Sequence, residues 1–207
     1  MTTPEIQQQV KDIKQSFHQL MDGAVAQSMR EKGMDYHLNW GVTLPRLREM
    51  ADEIGKNYDL AIALWKENVR ECKILATLLM PADKMLPEVV DIWMEQMPSQ
   101  EMAEQAAFNL WQYLPFAPDK AYQWLASEKE YDQLCGFHVL TRLFMNGQEP
   151  NERGINEYID QLLSALQGPY PSVRKAAMQS IQRFAELGLV YERLAKSALK
   201  SINLDFF

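Results

Sequence analysis

Apolar residues recur at helical spacing along nearly the whole chain, and nothing recurs at the spacing of a strand. Leu44, Leu47, Met50, Ala51 and Ile54 form one stripe, and Met85, Leu86, Val89, Val90, Trp93 and Met97 a second. Leu134, Phe137, Thr141 and Phe144 form a third, and Val173, Ala176, Ala177, Ile181, Phe184 and Ala185 a fourth. Each is a broad apolar face at a period of about 3.6 residues. No useful length alternates with a period of about 2, and clusters of β-branched residues are absent, so a sheet is not expected. The chain reads as all-α.

The punctuation agrees. Thr43 stands before Leu44-Pro45, a cap followed by a first-turn proline. Ser99 follows Pro98 and precedes another helical run. The segments 115–119, 147–150 and 168–171 read as turns, and Gly188 as a glycine just past a helix end. About ten helices of roughly 10–18 residues follow, and short connections make neighbours antiparallel. Helix pairs recur at roughly 35–45 residues, the spacing of HEAT-like arrays. The expected architecture is a right-handed α-α superhelix, a solenoid of HEAT-like helical repeats with one concave face. Ten short helices suit a solenoid better than a closed four-helix bundle.

The 207 residues fit one domain, and no linker is visible. Residues 1–33 carry Ile6, Val10, Ile13, Phe17, Leu20 and Met21 at helical spacing and read as docked N-terminal helices. Residues 188–207 read as a C-terminal capping helix. The first residues, 1–5, lack a basic stretch followed by an apolar core, and no apolar run approaches the ~18 residues of a membrane span. The expectation is a cytoplasmic protein that does not enter a membrane.

The net charge is −7, from 21 basic and 28 acidic residues, which argues against a surface that binds nucleic acid everywhere. Charge is unevenly placed. Residues 168–207 hold six basic groups, Arg174, Lys175, Arg183, Arg193, Lys196 and Lys200, and three acidic ones, Glu186, Glu192 and Asp205. That end is a candidate for anion binding, or simply a solvated set of helix faces.

Several chemistries lack their motifs. His18, His37 and His138 have no partners at metal-ligand spacing, so neither a metal nor a cofactor is expected. There is no glycine-rich phosphate loop and no nucleophile-elbow serine. Cys72 and Cys135 fall on apolar faces and read as buried thiols. Trp65, Trp93, Trp111 and Trp124 lie on apolar stripes and read as core.

Residues 40–76 are more specific. Trp40-Gly41-Val42-Thr43-Leu44-Pro45-Arg46-Leu47-Arg48-Glu49 is followed by Ala63-Leu64-Trp65 and then Arg70-Glu71-Cys72-Lys73-Ile74-Leu75-Ala76. Ser99 to Gln105, Lys120 to Trp124, Cys135-Gly136-Phe137 and Val173-Arg174-Lys175-Ala176 continue the pattern. Over residues 34–187 the chain resembles the AlkD-like DNA alkylation repair family, the glycosylases built of HEAT-like repeats. The resemblance implies a concave face that cradles duplex DNA and a carboxylate that acts on the glycosidic bond of a cationic alkylated base. It also implies tryptophans at the lesion and an arginine on the backbone. An alkylated purine is already a good leaving group, so the enzyme mainly supplies negative charge to an oxocarbenium-like sugar.

Position by position, this sequence departs from that pattern. The family's Ser-Trp-Asp-x-x-Asp run is Ser99-Gln100-Glu101-Met102-Ala103-Glu104 here. The catalytic aspartate therefore corresponds to Glu104, the earlier one to Glu101, and the aromatic to Gln100. The backbone arginine corresponds to Leu134 and a late tryptophan to Gln179, while Lys175 is kept. An added methylene moves a carboxylate by about 1 Å, which can cost ~100-fold in rate. A lost aromatic forfeits ~0.5–2 kcal/mol over a cation.

Two readings stay open. One is a divergent member of the family that binds DNA, with Glu104 and Glu101 as catalytic candidates, Arg174 and Lys175 as phosphate contacts, and glycosylase activity altered or lost. The other is a non-catalytic HEAT-like module that binds a protein partner. A monomer is expected in either case.

Overall fold

The structure is a computed structural model, and it describes residues 3–32, 34 and 36–204. Asp205, counted above in the basic end, and Met1 and Thr2 of the N-terminal reading lie outside the described residues. Among the described residues there are twelve α-helices, two short 3₁₀ turns and no strand. The nearest approach to a strand is an isolated parallel bridge between Leu38 and Val69. Among the described residues no helix is long and apolar enough to cross a membrane.

The helices fall in two units. Residues 1–110 form the first. It contains α1 (Pro4–Gln19), α2 (Gly23–Glu31), α3 (Leu44–Ile54), α4 (Tyr58–Trp65), α5 (Arg70–Leu79), α6 (Pro87–Glu95) and α7 (Gln100–Asn109). Residues 111–207 form the second, with α8 (Ala117–Leu125), α9 (Glu130–Met145), α10 (Glu152–Gln167), α11 (Pro171–Ala185) and α12 (Leu189–Ser201).

Local sequence explains most boundaries. Proline opens α1, α3, α6, α8 and α11, where its missing N–H costs nothing. Side chains of Thr3, Asp22, Asn57, Ser99 and Asn151 cap α1, α2, α4, α7 and α10. Three expectations need correction. Thr43 occupies the cap position of α3 but makes no capping hydrogen bond. Gly188 is the N-cap of α12 rather than the residue closing α11. The helices are also shorter and more numerous than the periodicity implied, 16 residues at most and 8 in α4. The stripe from Met85 shows why. Pro87 starts α6, so Met85 and Leu86 precede the helix, and Leu86 is exposed.

In the first unit α5 is central. It packs against α4, α3 and α7, and nearly all its residues are buried, including Arg70, Glu71 and Lys73. Trp65 stacks on Trp93 with centroids 4.1 Å apart, and the Lys73 ammonium lies over the Trp65 ring while donating to its carbonyl. In the second unit α9 packs on α8 and α11, and α10 on α11. Trp111 and Trp124 are buried there, as are Cys72 and Cys135 in their respective units. Burial pushes the Cys72 thiol up to about 12, so it is held as the thiol.

Gly136 explains why α8 and α9 cross so closely. A Cβ there would sit 2.8 Å from the Ala121 carbonyl oxygen and 2.9 Å from Leu125 Cδ2. Gly136→Ala is expected to force the helices apart at a cost of about 1–3 kcal/mol. Urea denaturation reads this directly, and a loss below experimental error would mean the crossing relaxes freely.

Candidate functional site

The candidate site grows out of α5 and α7. Arg70 opens α5, a helix buried along nearly its whole length, so its charge is carried inside and must be matched. Its Nη2 and Nε donate to Glu101 Oε1 and Oε2 at 2.6 and 2.9 Å, a two-pronged pair. Its Nη1 donates to the Val42 carbonyl at 3.1 Å and to Glu71 Oε1 at 3.3 Å. Arg70 is 1 % exposed and Glu71 fully buried.

Glu71 in turn accepts the backbone N–H of Trp40 and of Val42. The Tyr36 hydroxyl donates to Glu101 Oε2 at 2.7 Å and shares a 2.6 Å hydrogen bond with Ser99 Oγ. The result is a closed network that fastens the loop before α3 to the starts of α5 and α7. Gly41 completes the loop. Its φ is +74°, and a Cβ would lie 2.2 Å from the Asp22 carbonyl oxygen, so only glycine fits.

The electrostatics follow. Burial works to raise the Glu101 pKa, but the Arg70 hydrogen bonds, its charge and the Tyr36 hydroxyl outweigh burial and hold it below the usual carboxylate value. Burial and the Glu101 charge push the Tyr36 phenol far up, so it remains a donor. Glu101 is an anion at neutral pH, and its charge is already matched.

Glu104 lies one turn further along α7. The exposed Gln100 donates from Nε2 to Glu104 Oε1 at 2.9 Å. The two glutamates thus share a helix and are both half-buried, but Glu101 is clamped by Arg70 and Tyr36 whereas Glu104 accepts from Gln100.

The remaining sequence candidates lie in the second unit. Leu134 is 1 % exposed and packs inside, so its side chain offers nothing to a ligand. Lys175 and Gln179 are exposed one turn apart on α11. Arg174 is half-buried, and its Nη1 donates to the Gly168 carbonyl at 2.6 Å. Gly168 ends α10, so the guanidinium sits at that helix's negative pole, a favourable place for a cation. His138 is buried, and burial together with Arg142 lowers its pKa to about 4. Among the described residues no three His, Cys, Asp or Glu side chains converge as metal ligands.

In the sequence Arg70 and Glu71 stand out only as part of a motif, and Tyr36 does not stand out at all. The signal for Arg70 and Glu71 was present. Charges that open a helix whose later residues, Ile74 to Leu79, are apolar but for Thr77 are carried toward the core and must be partnered. Nothing local could reveal that Arg70 finds Glu101 31 positions on, or that Tyr36 reaches the same carboxylate from 65 positions before it.

Twelve short α-helices without a strand among the described residues, matched by a solved HEAT-like repeat structure, define an all-helical protein of that fold. The chain belongs to the DNA alkylation repair enzyme family, whose model matches residues 13–187. It is also similar to a solved structure described as "a new family of proteins related to the HEAT-like repeat DNA glycosylases with affinity for branched DNA structures". That match has a TM-score of 0.83 at 17 % identity, covering 93 % of this chain and 83 % of the other. No curated protein matches the sequence significantly.

Proposed function

We propose that this chain binds duplex or branched DNA and does not excise alkylated bases through Glu101 and Glu104. The observation that carries the reading is the state of Glu101. Both of its oxygens are engaged, by Arg70 and by Tyr36. A glycosylase carboxylate has to present uncompensated negative charge to a sugar that becomes cationic. A guanidinium at 2.6 Å has already spent that charge.

Glu104 keeps a carboxylate one turn away, but the adjoining position 100 is Gln, which offers a hydrogen bond in place of a stacking face. The reported affinity of the similar structure for branched DNA supports the binding half of the proposal. So does Lys175, exposed on α11 beside Gln179. With a net charge of −7, binding rests on a few local cations and is strongly screened.

A mobility-shift titration on a four-way junction and a matched linear duplex tests this. Affinity is expected to fall steeply with salt, and Lys175→Gln to lower the slope of log K against log salt by about 1. In parallel, single-turnover release of 7-methylguanine is expected at the spontaneous rate, unchanged by Glu104→Gln. Release above that rate, abolished by Glu104→Gln, would overturn the loss of excision. Failure to hold any DNA at low salt would overturn the binding half and leave a protein partner as the ligand.

A further inference from the structure

The second unit contains a hollow that neither the DNA-binding reading nor the clamped carboxylate explains. It measures about 570 Å³ and opens between α8 and α10 above the end of α9, within the range of small-ligand pockets, roughly 300–1,000 Å³. None of its walls belongs to α11, which carries Lys175.

The floor is apolar. Leu140, Leu143 and Phe144 of α9 are all buried and line it. The rim is acidic, with Asp119, Glu149 and Glu157 against one cation, Arg153. Glu149 is oriented by the Tyr191 hydroxyl, which donates to its Oε2 at 2.9 Å. Glu157 is half-buried at the wall. Its negative field reaches the neighbouring Tyr122, whose phenol is pushed up to about 12 by burial and by that charge.

The hollow is also preformed. The Tyr122 hydroxyl donates to the Gly154 carbonyl at 3.0 Å and ties α8 to the first turn of α10. A Cβ on Gly154 would lie 2.9 Å from that hydroxyl, so the glycine is what lets the two helices meet there. A fixed apolar floor under a carboxylate rim selects a ligand with an aliphatic stem and a cationic head. A primary ammonium is a compact charge that one lining carboxylate can pair while the others add to the field around it. Phosphate groups are repelled by the same rim.

We infer that the hollow between α8 and α10 is a binding site for an alkyl ammonium, its stem on Leu140, Leu143 and Phe144 and its head in the negative field of the lining carboxylates Asp119, Glu149 and Glu157. The chemistry is shared by a free aliphatic diamine and by a lysine side chain of another protein. The site is independent of DNA binding and stands or falls separately from it.

Calorimetric titration of the full chain with cadaverine is the test. Saturable one-to-one binding is expected, and none of the corresponding diol, which has the stem without the charge. Glu157→Gln is expected to weaken binding about tenfold, the size of one charge-assisted hydrogen bond. Asp119→Asn, at an exposed position, gives a second reading should Glu157→Gln unfold the chain. Glu186→Gln, in the exposed pair with Arg183, is expected to leave binding unchanged. Tighter binding of N-acetyl-lysine methylamide than of cadaverine would identify a protein lysine as the source, and the reverse a free diamine. No saturable binding of either amine would overturn the proposal. So would equal weakening by Glu157→Gln and Glu186→Gln, which would mean diffuse surface charge.

Discussion

Arg70→Met is expected to destabilise the protein by about 3–5 kcal/mol, because it removes one partner of a buried ion pair and leaves the others charged. Methionine fills similar space, so the loss is electrostatic rather than a cavity. Glu101 would keep only the Tyr36 hydroxyl, and Glu71 only the backbone N–H groups of Trp40 and Val42. At roughly 2–4 °C per kcal/mol for a chain of this size, Tm falls by roughly 10 °C. A loss below about 1 kcal/mol in urea denaturation at neutral pH would show that the network is not held by Arg70.

The same network gives a signed pH dependence. Glu101 has a folded pKa below its ordinary value of 4.5. Its contribution is therefore fully present above pH 4.5 and is lost as pH falls from there through the folded pKa. Glu101→Gln removes the titrating group, so stability measured down this range is expected to decline less steeply than in the parent. An identical acid limb in the two proteins would contradict the clamped carboxylate.

Phe184→Ala is expected to cost about 3–5 kcal/mol in the second unit. Phe184 is fully buried. Its ring lies 4.9 Å from Tyr158, 5.1 Å from Tyr191 and 5.5 Å from Phe144 by centroids. Truncation opens a hole that none of these rings can close without giving up its own contacts. Tyr158 is further pinned by its hydroxyl, which donates to Ser180 Oγ at 2.9 Å. Urea unfolding should show a lower midpoint with an unchanged slope. A midpoint within error of the parent would mean the aromatic cluster repacks.

These two sites differ in how far the sequence announced them. Phe184 stands in a stripe whose members Val173, Ala176, Ala177 and Ile181 are all buried, as their spacing requires. The four tryptophans assigned to the core are likewise buried. Arg70 and Glu71 were visible as charges at the head of a helix with an apolar later half, yet their role was not, because Glu101 and Tyr36 come from distant segments. Glu101 and Glu104 illustrate the same limit. Spacing placed both on α7, three residues apart, and helix geometry guarantees that much. It could not say that one would be locked by a guanidinium and the other bonded to Gln100. Leu134 matched an arginine by alignment of motifs, and packing put it inside.

The all-α character, the apolar faces, the proline-marked start of α3 and the family are legible in the order of residues alone. Those properties are local, since a helix and its faces follow from residues within one or two turns. Which charges are matched against one another, and which surround the hollow between α8 and α10, is set by the packing of the helices. Such pairings depend on how separate helices stack, and a one-dimensional spacing carries no term for that.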